Sequence, residues 1–135
     1  MDMEYVNRLR QQKRKAYMKL DELFDLTGQL AQAVDRRDEV SAKMLLGMRQ
    51  QPLLDLQEIE ETIQEGVLNQ PEEDARRLSF LLQGNVPEGA PEQQEEIALR
   101  ELCERNLRQL DRIIQLDRRI STGMGGNRSY YNHLR

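Results

Sequence analysis

Tryptophan is absent, and phenylalanine occurs only twice and tyrosine four times in 135 residues. A ring-based core is thereby excluded, so the interior has to come from Leu, Ile, Val and Met. β-Branched and aromatic side chains are scarce while Glu, Gln, Leu, Arg and Asp dominate, which favours helix over sheet. Cys103 is the one cysteine and His133 the one histidine. A single thiol rules out an internal disulfide, and the apolar helical setting of Cys103 makes it read as a small buried hydrophobe. A lone His without Cys or carboxylates at ligand spacing is no metal site, and no Ser/His/Asp or Cys/His arrangement can be assembled. No apolar run approaches membrane-spanning length, and "MDMEYVNRLR" carries no apolar signal core, so a cytosolic protein without an integral membrane segment is expected.

What is abundant is charge, and it is segregated. The formal net charge is −4. Residues 1–19 hold six basic and two acidic side chains, whereas 55–96 hold twelve acids against Arg76 and Arg77. Residues 97–135 are again basic in balance, with eight basic and four acidic groups. The direct explanation is internal, with basic and acidic helices side by side in one bundle. The alternative is a basic arm, "RLRQQKRK", that touches nucleic acid or anionic lipid. The acidic total and the few aromatics argue against nucleic acid.

Apolar spacing gives the helices. Leu9, Lys13, Ala16, Leu20, Leu23, Thr27, Leu30 and Val34 alternate in steps of four and three, a heptad seam with polar interruptions, and Val6 extends it. "DRRD" at 35–38 is a turn, with Asp38 as N-cap of a second helix. That helix carries Val40, Met44, Leu45, Met48, Leu56, Ile59, Ile63 and Val67. Pro52 either kinks it or starts a fresh segment, and the nearly in-phase period favours a kink. Pro71 followed by Glu72, Glu73 and Asp74 opens a short helix that Gly84 ends. "GNVPEGAP" is a loop. A last helix runs from near Pro91 to about Ser121, with Leu99, Leu102, Cys103, Leu107, Leu110, Ile113, Ile114 and Ile120 on its face and Gly123 as its stop. Asn106 and Asp117 fall near that stripe, where polar residues often set register and pairing. The predicted fold is all-α: an elongated antiparallel bundle of three long helices plus one short helix, with coiled-coil-like packing. Residues 1–122 form one domain, and 123–135 a Gly- and Tyr-containing tail.

Nothing in this pattern is catalytic. Glu58, Glu61 and Glu65 share one helical face, which reads as solvated because nothing nearby is apolar enough to raise a carboxylate pKa. "GMGGN" follows a helix instead of leading a strand into one, so it cradles no phosphate. The expectation is a protein that is not an enzyme and has no cofactor. In the tail, Tyr130 and Tyr131 are large, rigid contacts of the type enriched in binding hot spots. They either fold back onto the bundle or dock on a partner.

The stretches "LTGQLAQAVDRRDEVSAKMLLGMRQQPLLDLQEIEETI" and "LRQLDRIIQLDRRI" resemble bacterial flagellar export chaperones of the FlgN and FliT type. Those proteins share a long first helix, a turn with an acidic residue, and a second helix with an arginine followed by a leucine pair. Here these are Asp35 or Asp38, Arg49, and Leu53 with Leu54. A late Leu-Asp-basic element is also similar, here Leu116, Asp117, Arg118 and Arg119. Pro52 before the leucine pair and the Gly-rich ending depart from the pattern. The resemblance implies a cytosolic secretion chaperone, monomeric or homodimeric, with no small-molecule substrate. Such a protein holds a late flagellar subunit (a hook–filament junction or cap protein) by an amphipathic helical terminus. It prevents premature assembly and delivers the subunit to the flagellar export apparatus. By position, client contact falls to Leu110, Ile113, Ile114 and Ile120, with Tyr130 and Tyr131 as anchors or lid. The same aliphatics suit a bundle core, so either part of this face is exposed or the bundle opens for a guest. The alternative is a non-enzymatic coiled-coil scaffold or oligomerisation module.

Overall fold

The computed structural model describes residues 1–123. Five helical segments follow one another: α1 (Met3–Asp35), α2 (Glu39–Met48), α3 (Gln50–Leu68), α4 (Glu72–Leu82) and α5 (Gln94–Gly123). The described residues contain no strand.

Local chemistry sets the boundaries. Asp2 caps α1 by accepting from the Glu4 N–H at 2.9 Å, and Asp38 caps α2 by accepting from the Ser41 N–H at 3.1 Å. Helix α1 ends in a Schellman motif: the Asp38 N–H donates to Ala33 O at 2.9 Å and the Arg37 N–H to Val34 O at 3.0 Å. Arg37 occupies the left-handed position at φ 58°, where glycine is usual. Helix α4 ends the same way, with Gly84 at φ 77° and the Asn85 N–H donating to Phe80 O at 2.9 Å. The stop expected at Gly123 falls at the limit of the described residues.

The expected second helix is two segments, α2 and α3, meeting at the single residue Arg49. Pro52 has no N–H to donate to the Met48 carbonyl, and its ring crowds that carbonyl. The break therefore precedes the proline by three residues. Arg49 keeps right-handed helical dihedrals, so the interruption is local.

Helix α1 organises the packing, since α5, α3 and α2 all lie against it. At its start, Val6 and Leu9 meet Ile63 of α3, Leu78 and Leu81 of α4, and Leu99 and Cys103 of α5. Midway, Leu20 and Leu23 meet Ile113 and Ile114. At its end, Leu26, Leu30 and Ala33 meet Ala42 and Leu45 of α2 and Ile120 of α5. Hence α2–α3 runs antiparallel to α1, as the short turn requires, and α5 runs parallel to it. The seam read from the sequence is buried at Leu9, Ala16, Leu20, Leu23, Thr27 and Leu30.

Part of the expected apolar face of the second helix points outward instead. Leu45 and Ile63 are core, but Val40, Met44 and Met48 are 82%, 59% and 51% exposed. The leucine pair divides as well, with Leu53 packed inward and Leu54 exposed.

The segregated charges meet across helices: Lys13 reaches Glu60 at 3.3 Å and Lys19 reaches Asp55 at 3.1 Å between α1 and α3. Arg119 of α5 pairs with Asp35 of α1. The connection from α4 to α5 is tied down by Arg77, which donates to Glu96 at 3.3 Å and to the Pro91 carbonyl at 3.3 Å, and by Arg100 on Glu92 at 2.8 Å.

A candidate helix-docking groove

Helices α3 and α5 both rest on α1 but make little contact with each other. Between them lies a groove of about 380 Å³. Ala16 and Leu20 of α1 form its apolar floor, Leu56 stands on the α3 side, and Leu107 and Leu110 stand on the α5 side. Glu60, Glu61 and the amides of Gln57 and Gln64 make the α3 rim. These four recur at helical spacing, and so does the α5 set of Cys103, Asn106, Leu107 and Leu110. The shape is a trough with a greasy base and polar edges, which suits an amphipathic rod. A second depression lies between Lys15, Met18 and Lys19 of α1 and Asp55, Ile59 and Thr62 of α3, and its Lys19 and Asp55 are already paired.

Three polar features mark the groove and its surroundings. Lys13 lines it with only 11% of its side chain exposed, neutralised by Glu60. Asn106 is 6% exposed; its amide donates to the Lys13 carbonyl at 3.0 Å, and its buried Oδ1 has no hydrogen-bond partner among the described residues. That orientation is chemically fixed, because flipping the amide would set oxygen against oxygen. Cys103 is 1% exposed, and burial pushes its thiol up to about 11, against the opposing pull of Lys13. It is therefore a protonated apolar side chain at neutral pH, as its sequence setting suggests.

Beyond the groove, Arg49 and Asp117 form a buried ion pair at 3.7 Å, with side chains 2% and 0% exposed. The pair joins the α2–α3 break to the last part of α5. The two residues lie far apart in sequence, and the fold brings them together here.

The residues expected to receive a guest separate into three groups. Ile113, Ile114 and Ile120 are 0%, 4% and 1% exposed, because α5 turns that face onto α1. They are core, and the free fold leaves them no contact surface. Leu110 is half-buried and lines the groove. Tyr130 and Tyr131 lie outside the described residues, as does His133. Sequence reasoning placed Leu107 on the α5 apolar face without singling it out for contact, though it is 44% exposed on the groove edge. It missed the floor, since Ala16 and Leu20 belong equally to the seam.

Set beside family models, curated proteins and solved structures, the chain matches none. Among the described residues no helix is long and apolar enough to cross a membrane.

Proposed function

We propose that this protein is a secretion chaperone of the flagellar export type, acting in the bacterial cytoplasm. It holds the amphipathic helical terminus of a late flagellar subunit in the groove over α1 and passes the subunit to the export apparatus. The observation that carries this reading is the groove itself: two long helices set apart on a third, leaving aliphatic side chains where a further helix packs. The elongated bundle with coiled-coil-like seams suits that task, since a long guest needs a long bed. An unassembled subunit's exposed apolar stripe is an aggregation hazard until covered, so binding alone is a useful activity and no reaction is required.

The test is titration of the full chain with the terminal helices of hook–filament junction and cap proteins. A one-to-one complex is expected. Leu107→Asp is expected to weaken it at least about tenfold, because losing one buried leucine contact removes roughly 1.5–3 kcal/mol. Leu107 is half-exposed, so helicity and melting of that variant stay near wild type. If no such helix binds, the reading fails.

A second reading is favoured by one observation, the exposed row Val40, Met44, Met48 and Leu54 along α2 and the start of α3. Adaptable Met-bearing surfaces serve protein contacts, so this row suits a scaffold that self-associates. Sedimentation at increasing concentration separates the two: a scaffold gains mass without a client, and Met44→Glu abolishes that gain.

A further inference from the structure

We infer that the groove selects a cationic guest: a partner helix whose apolar stripe is flanked by Lys and Arg and that presents a hydrogen-bond donor to Asn106. The inference rests on the docking reading above and adds the chemistry of the guest.

Four observations carry it. Helix α3 has five acidic and no basic side chains, and of these Glu61 lines the groove while Glu65 lies one turn on from it. Both are exposed, and neither is in an ion pair among the described residues. On the opposite side, Asp111 lies next to the groove-lining Leu110 and one turn on from Leu107, likewise exposed and outside any ion pair among the described residues. Two cations beside the groove are engaged, Lys13 by Glu60 at 3.3 Å and Arg108 by Glu104 at 3.7 Å. Finally, Asn106 offers a buried acceptor without a partner among the groove's own residues.

An anionic guest would place like charges along the α3 edge and against Asp111, and leave the Asn106 acceptor unanswered. A buried acceptor left without a donor is destabilising, whereas a guest that supplies one removes that penalty. Edge charges contribute modestly to affinity but strongly to choice of partner and to encounter rate. Acids along the α3 edge and beside the α5 edge, with an acceptor beneath, ask the same thing of the guest, namely donors and positive charge.

The experiment uses the full chain and three synthetic helical peptides of about 18 residues. They share one Leu/Ile stripe with a central Gln, and their flanks are Lys/Arg, Gln or Glu. The Lys/Arg peptide is expected to bind about tenfold tighter than the Glu peptide at low salt, a gap that narrows as salt rises. Exchanging Glu61, Glu65 and Asp111 for Lys is expected to invert the order while helicity stays unchanged, because these side chains are exposed. Replacing the central Gln by Leu is expected to weaken binding to the wild type and not to Asn106→Leu. Equal affinity for all three flanks overturns the charge inference and leaves the docking reading standing. Absence of binding by every peptide overturns both. Self-association of the free chain that the triple Lys variant abolishes would mean a second copy fills the groove, and overturns the inference as well.

Discussion

Arg37 is the residue at which local strain is most evident. A side chain at φ 58° in the α1–α2 turn occupies a conformation that glycine adopts without penalty. Arg37→Gly is therefore expected to stabilise the fold by about 0.5–1 kcal/mol, seen as a rise of roughly 2–4 °C in melting temperature. Cys103 makes a complementary prediction. Its buried, high-pKa thiol is expected to react with thiol reagents only when the bundle opens, so its labelling rate reports opening and slows when a guest occupies the groove. Asp38 and Gly84 were legible as a cap and a stop because their side-chain chemistry is specific to those positions. Arg37 was not, because nothing in "DRRD" tells which arginine takes the left-handed place.

Helices and their order were legible from apolar period with caps and breakers, except that the second helix is two segments, and helix faces were legible only in part. The α1 seam is one continuous stripe and was read correctly at Leu9, Leu20, Leu23 and Leu30. The second helix has apolar residues on two faces, and period cannot say which face turns inward. Leu45 and Ile63 do, while Val40, Met44 and Met48 do not. On α5 the core and the groove share one broad stripe, so Ile113, Ile114 and Ile120 could not be separated from Leu107 and Leu110 without α1 in place. Asp117 stood out near the α5 stripe, but its pairing with Arg49 was hidden, since nothing in the sequence joins two residues so far apart. The energetics of the pair give a sharp expectation. Arg49→Met or Asp117→Leu alone leaves a charge buried opposite an apolar side chain and is expected to cost about 3–5 kcal/mol. The double variant is expected to recover most of that loss, which chemical denaturation of all four proteins measures.

For the whole molecule, acid is the natural stress. Burial alone would raise the Glu96 carboxyl, but its bonds to Arg77 and the Gln93 N–H hold it below the usual range. The Asp38 carboxyl is lowered by its bonds to Ser41, and Asp55 by bonds to Gln51 and Lys19. Folded values below unfolded ones mean that the native state binds fewer protons. The stabilisation from these groups is thus complete above the unfolded carboxylate range of about 4 and is lost as pH falls through the folded values. Unfolding free energy is expected to be level from neutrality to about pH 5 and to drop below it. Arg77→Met removes the partner of Glu96 and is expected to flatten that drop, as acid titration followed by circular dichroism would reveal.

The parallel pairing of α1 with α5 has a consequence during synthesis. A chain emerging from the ribosome delivers α1 first, and the hairpin it makes with α2–α3 closes through the short turn at 36–38. The other flank of α1, the one Ile113, Ile114 and Ile120 will cover, has to wait until the last helix is translated. Nascent intermediates therefore carry a long uncovered aliphatic strip, and non-local closure of this kind is slow. A chain halted before residue 94 would be soluble only while something else lay along that strip.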